Sequence, residues 1–272
     1  MVALETSIVG QGLPAPHNLR AARGCEAAIR AAGAVPATVA VLDGRLKVGL
    51  DDADLRRVAS PDAVKVSSRD IGPVLVQRRI GATTVAASVR AASLAGIRFF
   101  ATGGIGGVHR GHPEDQSADL EEIARSSVAV FCAGAKIILD LRLTLERLES
   151  LGVPVLGFGT DEFPAFYAGS SGLNVSARVD GAREAADVLR SAWTSGTRGA
   201  VVAVPPPYDL EGAEEMATRA IEDVGDVSGG TVTPRLLARI AELSGGRSLD
   251  LNVDLVVNNA RIAAEVAREY FA

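Results

Sequence analysis

One lysine, Lys136, occupies a place where α/β proteins often carry reactive groups. It follows the apolar run Val128–Cys132 and a turn of small residues, and the pattern predicts a helix from Lys136 to Leu151. Because a helix N-terminus carries partial positive charge, it disfavours an ammonium ion and should favour the neutral amine. A neutral amine is the form that attacks a carbonyl carbon to give an imine. A solvated surface lysine without a chemical role is the alternative.

Two further charged side chains interrupt apolar, strand-like runs. Glu5 lies within the predicted strand Val2–Val9, and an apolar environment raises the pKa of a carboxyl group, which suits a general acid. Lys65 lies within the strand predicted for Val64–Val66 and should point away from its two valine neighbours. We expect Lys65 to be either an edge residue or a partner for a phosphate group.

The glycine-rich segment Phe100–Gly111 permits close approach of the backbone to a ligand. Its sequence, FATGGIGGVHRG, lacks the GxGxxG spacing of dinucleotide-binding loops, so a nucleotide cofactor is not expected. His109 lies near the end of this segment. A lone loop histidine is more often structural, but the surrounding glycines favour a place near a ligand.

The sequence DQSADLEE predicts the start of a helix. Ser117 should cap it, and Asp119 with Glu121 suits the positive end of the helix dipole. Capping alone explains this pattern. The same residues also suit a site in which Ser117 and the following amides hold a phosphate, while Asp115 or Asp119 binds Mg2+ or Mn2+.

The elements that must position these residues alternate between short apolar runs and amphipathic helices. Asp43-Gly44 predicts a type I′ hairpin between strands Ala37–Leu42 and Leu46–Leu50. Further strands are predicted at Val64–Val66, Ile97–Ala101, Val128–Cys132, Val153–Phe158 and Ala200–Val204. Further helices are predicted at Leu19–Ala32 (capped by Asn18), Asp52–Ala59, Thr83–Ala95, Ala118–Ser126 and Ala182–Trp193, with two more after Thr233 separated by Gly245-Gly246. This alternation predicts an α/β sandwich in a single domain over residues 1–272.

The composition argues against several classes of protein. The chain carries a net charge of −5 without a basic stripe, so binding to nucleic acid is not expected. The N-terminal sequence does not have the pattern of a signal peptide, and no apolar stretch of about 18 residues predicts a membrane span. The two cysteines, Cys25 and Cys132, form no CxxC pair, and a reducing, cytoplasmic location is expected.

Taken in order, these segments resemble the pseudouridine-5′-phosphate glycosidase family, which includes related C-glycosynthases of natural-product biosynthesis. The resemblance covers nearly the whole chain. The blocks that carry it are ALETSIVGQGLPAPHN, GAVPATVAVLDGRLKVGL, KVSSRD, GATTVAAS, FATGGIGGVHRG, SADLEE, CAGAKIILD, LESLGVPVLGF, DEFPAFY, TPRLL and NNA.

The resemblance implies a three-layer α/β/α sandwich, a homotrimer and a divalent metal, usually Mn2+. It implies that Lys136 forms an imine with ring-opened ribose 5-phosphate and that Glu5 is the proton donor. The metal ligand would be Asp115. The residues implied to contact the sugar phosphate or the base are Lys65, Val85, Ser117, Ala118 and Asp119, with His109 and Asn259 as further pocket residues and Asn258 as an alternative to Asn259. The implied reaction reversibly cleaves a carbon–carbon bond at C1 of ribose 5-phosphate.

The sequence departs from the family pattern around the expected aglycone pocket. Gln11 stands in place of a histidine, Ala15 of a larger residue, His17 of a glutamine and Gln116 of an aliphatic residue. The loop His109–Asp115 is about two residues shorter than in the family. Two functions therefore stay open: a glycosidase acting on pseudouridine 5′-phosphate, and a C-glycosynthase that joins ribose 5-phosphate to another aromatic acceptor. The retained nucleophile and acid disfavour a third alternative, a catalytically silent binding protein.

Overall fold

The structure, a computed structural model, describes residues 1–225 and 232–272. Its strands are β1 (Val2–Leu4), β2 (Pro36–Leu42), β3 (Arg45–Val48), β4 (Val64–Val66), β5 (Gly81–Thr83), β6 (Phe99–Ala101), β7 (Val108–His109), β8 (His112–Gln116), β9 (Ala129–Cys132), β10 (Leu139–Asp140), β11 (Val155–Phe158), β12 (Ala177–Val179) and β13 (Ala200–Ala203). Its helices are α1 (His17–Ala31), α2 (Asp52–Val58), α3 (Ile71–Val76), α4 (Val85–Leu94), α5 (Ala118–Arg125), α6 (Leu141–Ser150), α7 (Ala182–Thr194), α8 (Ala213–Val224), α9 (Val232–Leu243) and α10 (Arg247–Phe271).

A ten-stranded sheet forms the centre of the molecule, in the order β12-β11-β13-β9-β6-β1-β2-β5-β4, with β3 paired to β2. The strands from β12 to β2 run parallel, whereas β3 and β5 run antiparallel to β2. Every residue of β1, β6, β9 and β13 is buried. Such continuous apolar runs are typical of parallel strands that are covered on both faces.

Two groups of helices cover this sheet. Helix α10 packs across β1, β6 and β9, with α1 and α7 beside it, while α4 packs against β1 and β6 with α5 beside it. This arrangement confirms the expected three-layer α/β/α sandwich. None of the helices in the described ranges has the length and apolar character that crossing a membrane requires.

Several local predictions are confirmed. Asp43 and Gly44 both adopt positive φ angles, 54° and 74°, as a type I′ turn between β2 and β3 requires. The predicted strands that form the parallel core appear as β6, β9, β11 and β13. The last two helices, α9 and α10, are separated at Gly245-Gly246 as expected.

Other local predictions are wrong. The strand predicted over Val2–Val9 ends at Leu4, because the chain turns into a π-helical turn at Ile8. Asn18 does not cap α1, which already begins at His17; the Asn18 side chain donates instead to the carbonyl of Val9 at 3.1 Å. The helix predicted from Lys136 begins only at Leu141.

A second, three-stranded antiparallel sheet, ordered β10-β7-β8, was not expected from the sequence. It joins the end of the glycine-rich segment to the residues that follow Lys136. In this sheet Val108 lies opposite Asp140 and His109 lies opposite Leu139. The pairing explains why Leu139 and Asp140, which follow the turn after Lys136, are extended rather than helical.

Candidate active site

The candidate chemical groups follow the carboxyl ends of three neighbouring parallel strands. Glu5 follows β1, Thr102 follows β6, and the segment bearing Lys136 follows β9. Open α/β sheets bind ligands at this edge, because the loops that leave adjacent strands converge there. The topology therefore brings together residues that are far apart in the sequence.

Two hydroxyl groups hold the carboxylate of Glu5. Thr102 Oγ1 donates to Oε1 and Ser7 Oγ donates to Oε2. Burial of the carboxyl group raises the pKa of Glu5, while the positive charge of Lys136 and the two hydroxyl donors oppose the rise. A carboxyl group with a raised pKa keeps its proton closer to neutral pH, which suits a general acid.

Lys136 lies in a turn, not at a helix start. The amide of Leu139 donates to the Lys136 carbonyl at 2.9 Å, and α6 begins two residues later with Asp140 as its cap. The argument from the helix dipole therefore does not apply to this lysine. Its amine instead donates to the carbonyl of Gly104 at 2.7 Å, which holds the half-buried side chain against the glycine-rich segment.

The glycines of this segment are required by close packing. A Cβ on Gly104 would lie 2.6 Å from the ring of Phe166. A Cβ on Gly106 would lie 2.3 Å from Ser117 Oγ and 2.9 Å from Asp119 Oδ2. The segment therefore approaches its neighbours as closely as a backbone without side chains allows. This close approach places the Gly104 carbonyl beside the lysine and the Gly106 amide beside α5.

Asp119, in α5, forms hydrogen bonds to α4 and to the glycine-rich segment. It is buried, and its Oδ1 accepts from the amide of Ala86 at 2.9 Å while Oδ2 accepts from the amide of Gly106 at 2.8 Å. Ser117 caps α5, as predicted, by accepting from the Asp119 amide at 3.2 Å. Both carboxylate oxygens of Asp119 are thus engaged by backbone amides, which disfavours Asp119 as the cation ligand. The same bonds bring the start of α5, with Ala118, beside the start of α4, with Val85.

Lys65 completes a group of four interacting charges. It lies in β4 with an exposed surface, whereas its neighbour Val66 is fully buried, as the alternation predicted. Although the residue is exposed at the surface, its amine is partly shielded from water; this desolvation lowers the pKa of Lys65, the charge of Lys136 lowers it further, and Asp119 and Glu5 oppose the change. Two lysines and two carboxylates therefore act on one another at this edge of the sheet, where an anionic substrate would find positive charge.

Asn259, not Asn258, faces the glycine-rich segment. Its Nδ2 donates to the carbonyls of Thr102 at 2.8 Å and Gly103 at 3.3 Å, and the residue is fully buried. Its Oδ1 is buried without a hydrogen-bond partner among the described residues. Asn258 instead accepts from Arg261 at the surface of α10. The structure thus favours Asn259 as the pocket residue.

His109 and Asp115 lie on the small sheet. His109, in β7, is half-buried opposite Leu139, and Asp115, in β8, is also half-buried. Within the described ranges no group of three or more His, Cys, Asp and Glu side chains could enclose a metal ion. A single carboxylate such as Asp115 fits only a cation whose other ligands are water and phosphate oxygens, and Mg2+-like ions are commonly held in this way.

Sequence reasoning missed the two hydroxyl groups that contact Glu5, which belong to Ser7 and Thr102. A hydroxyl residue directly after a buried strand, as Thr102 follows β6, is the signal that could have identified one of them. Ser7 fell inside the strand predicted over Val2–Val9, whose end at Leu4 was not foreseen. The end of β1 is what allows Ser7 to turn back onto the carboxylate.

Comparisons with known proteins identify the family of the chain. A family model described as indigoidine synthase A like protein matches residues 1–269. Pseudouridine-5′-phosphate glycosidases of Nocardioides sp. (strain ATCC BAA-499 / JS614) and Solibacter usitatus are 51% and 52% identical to this chain. These matches cover 99% and 98% of this chain and 91% and 93% of the two relatives.

Two solved structures share the fold. An indigoidine synthase A-like protein from Thermotoga maritima is 33% identical with a TM-score of 0.92, over 98% of this chain and 91% of that one. The prealnumycin C-glycosynthase AlnA, in complex with ribulose 5-phosphate, is 35% identical with a TM-score of 0.87, over 99% of this chain and 91% of that one. These similarities confirm the resemblance carried by the sequence blocks: the chain belongs to the pseudouridine-5′-phosphate glycosidase family, the indigoidine synthase A-like proteins.

Proposed function

We propose that the protein reversibly cleaves and forms the carbon–carbon bond between C1 of ribose 5-phosphate and a ring carbon of uracil, through an imine on Lys136. The observation that carries the proposal is the convergence of Lys136 and Glu5 on the glycine-rich segment at one edge of the sheet, with Lys65 close enough to interact electrostatically with both. The names of the relatives that are about half identical over nearly the whole chain support the same activity.

In the synthetic direction the chemistry starts at the open-chain aldehyde of ribose 5-phosphate. The Lys136 amine adds to C1 and water leaves, which gives an iminium ion that acts as an electron sink. A nucleophilic ring carbon of the acceptor attacks C1, and the C=N π electrons move onto nitrogen as the new bond forms. Glu5, as the carboxylate, takes the proton from that ring carbon. A sugar hydroxyl then displaces the lysine amine as the ribose ring closes.

Cleavage follows the same steps in reverse. Glu5 must then carry a proton and deliver it to the ring carbon as the carbon–carbon bond breaks. Burial raises the pKa of Glu5, which supports this role, and the hydroxyls of Ser7 and Thr102 fix the direction of its two oxygens. Water hydrolyses the remaining iminium ion and frees ribose 5-phosphate and Lys136.

We place the phosphate of the sugar at the start of α5. Ser117, Ala118 and Asp119 open this helix, and the positive end of its dipole favours an anion. Lys65 would add a positive charge, and the start of α4 at Val85 is fixed nearby by the bond from Ala86 to Asp119. His109 and Asn259 are proposed to line the remainder of the pocket, with the unpaired Oδ1 of Asn259 available to a donor on the ligand.

We further propose Asp115 as a ligand of a divalent cation, Mn2+ by family resemblance. A bound cation would supply positive charge next to the sugar phosphate, with water and phosphate oxygens completing its coordination. The same resemblance leads us to propose a homotrimer. The free, buried thiols of Cys25 and Cys132 support a reducing, cytoplasmic location.

A second function, C-glycosylation of an aromatic acceptor other than uracil, is favoured by two observations. The C-glycosynthase AlnA shares the fold at 35% identity. Gln11, which stands in place of a family histidine, donates to the carbonyl of Ala63 at 2.8 Å, and its Oε1 is buried without a hydrogen-bond partner among the described residues. An acceptor with a hydrogen-bond donor that reaches Gln11 would satisfy this oxygen.

One product assay separates these functions. The protein is incubated with Mn2+, ribose 5-phosphate and uracil, and pseudouridine 5′-phosphate is measured by liquid chromatography, with the reverse reaction run in parallel. Formation of this product supports the glycosidase. Failure in both directions, with a borohydride-reducible ribose adduct still present, supports another acceptor. Full turnover by Lys136→Ala would refute the imine in either case.

A further inference from the structure

Arg110 reaches from the glycine-rich segment to the turn that carries Lys136. Its Nη2 donates to the carbonyl of Ile137 at 2.6 Å, and its Nε donates to the carbonyl of Leu139 at 3.1 Å. Ile137 directly follows the lysine, and Leu139 closes the turn by donating to the Lys136 carbonyl. One guanidinium group therefore bonds to two carbonyls of the turn, one in its middle and one at its end.

A carboxylate on a distant helix orients this guanidinium group. Glu214, in the first turn of α8, accepts from Arg110 Nη1 at 2.8 Å and from Nη2 at 3.3 Å. The Arg110 side chain is 29% exposed and that of Glu214 is 60% exposed, so the guanidinium is largely buried while its carboxylate partner is open to solvent. The planar guanidinium presents its donors in fixed directions, which a lysine ammonium at the same position does not do.

The turn is held in the core by its buried side chains, since Ile137, Ile138 and Leu139 are at most 2% exposed, and by the pairing of Leu139 with His109. Arg110 adds side-chain hydrogen bonds to two carbonyls of this turn. Lys136 is not in a helix, and its own amide donates to the carbonyl of Ile105 at 3.2 Å. The amine must nevertheless reach C1 of the sugar within a narrow range of positions, and a displacement of about 1 Å costs roughly 100-fold in rate. We infer that Arg110 is a positioning residue for the imine-forming step, oriented by Glu214. This inference rests on the proposed role of Lys136.

The test measures the rate of imine formation directly. Ribose 5-phosphate is mixed with excess enzyme, borohydride is added at successive times, and the trapped adduct is quantified by mass spectrometry. We expect Arg110→Ala to form the adduct about 30- to 100-fold more slowly. The KM for ribose 5-phosphate should change by less than about threefold, because uniform binding is retained. Methylguanidinium should restore at least part of the rate. Arg142→Ala, on the exposed side of α6, is the matched control and should match the wild type without and with methylguanidinium.

Two further variants keep the inference falsifiable if Arg110→Ala fails to fold. Arg110→Lys retains the charge opposite Glu214 but loses the fork, and Glu214→Gln removes the orienting charge; both should slow adduct formation about tenfold or more while the proteins stay folded. Unchanged trapping rates in Arg110→Lys and Glu214→Gln would overturn the inference and leave the proposed function intact. Absence of any wild-type adduct on Lys136 would instead refute the proposed function. Slow trapping that methylguanidinium does not restore in a folded Arg110→Ala protein would also overturn the inference.

Discussion

Substitution of Gly106 by alanine tests whether the close packing of the glycine-rich segment is required. The new Cβ would lie 2.3 Å from Ser117 Oγ and 2.9 Å from Asp119 Oδ2. Both distances are far inside van der Waals contact, so Ser117 must move and the bond from the Gly106 amide to Asp119 must lengthen or break. The position of the proposed phosphate site would shift with them.

The expected loss of stability has two sources, the overpacked methyl group and the weakened hydrogen bond to Asp119. Forcing a methyl group into packed surroundings costs about 1–3 kcal/mol, and losing a hydrogen bond to a buried carboxylate costs about 1.5–3 kcal/mol. Together they lower the free energy of unfolding by about 2.5–6 kcal/mol. The entropy of unfolding is about 0.6 kcal/mol/K for 272 residues, so the melting temperature should fall by about 4–11 °C.

Thermal unfolding and the KM for ribose 5-phosphate measure this prediction. Because Ser117 and the amides of α5 are displaced, KM should rise about tenfold, the equivalent of one lost charge-assisted hydrogen bond. Gly72→Ala in α3 is the control, since no atom lies within 4 Å of its new Cβ, and it should be neutral or stabilising by up to about 1 kcal/mol. A Gly106→Ala protein with the melting temperature and KM of the wild type would refute the reasoning.

The remaining predictions concern charge and the pocket. Burial raises the pKa of Glu5 above 4.5, so the contribution of its protonated carboxyl group to stability is complete below pH 4.5 and is lost as the pH rises through the folded-state pKa. The difference in melting temperature, Glu5→Gln minus wild type, should therefore increase between pH 4 and 8. The same variant should have lost turnover. For Lys65 the pH dependence of stability has the opposite sign. Its pKa is lowered from 10.5, so the contribution of its neutral amine to stability is lost as the pH falls through the folded-state pKa. At pH 7 Lys65→Met should melt no lower than wild type while its KM for ribose 5-phosphate rises, and a clear drop in melting temperature would contradict the account. Asn259→Asp removes the donor to the carbonyls of Thr102 and Gly103, and kcat should fall at least tenfold, about the equivalent of one buried hydrogen bond. The control Asn258→Asp should keep a kcat near that of the wild type. Equal kcat values in the two variants would exclude Asn259 from the pocket.

The parallel core of the fold could be predicted because its signal is local. The apolar runs that form β6, β9, β11 and β13, and the Asp43-Gly44 hairpin, carry their information within a few residues. The small sheet β10-β7-β8 could not be predicted in this way. Its strands contain two to five residues. Strands β7 and β8 pair as a short, irregular hairpin, and β10 pairs with β7 from about 30 residues away in the chain, which periodicity does not report.

In the site, too, features with a local signal in the sequence could be predicted and those that depend on distant contacts could not. Glu5, Lys65 and Lys136 were identified because a charged residue in or after an apolar run is conspicuous in sequence. The prediction that Lys136 begins a helix was wrong. Helix α6 begins after its cap, Asp140, because pairing of Leu139 and Asp140 with β7 overrides the helix propensity of this segment. The hydroxyls on Glu5 and the hydrogen bonds of Arg110 depend on where loops meet in space. Those contacts became visible only in three dimensions.

The most direct test of the central claim is to map the covalent adduct. Wild-type protein is incubated with ribose 5-phosphate, reduced with borohydride, digested and analysed by tandem mass spectrometry. We predict that Lys136 gains the mass of ribose 5-phosphate less one oxygen atom, because condensation removes water and reduction adds two hydrogens. An adduct on Lys65 instead of Lys136, or no adduct on a protein that is active in the product assay, would contradict the account.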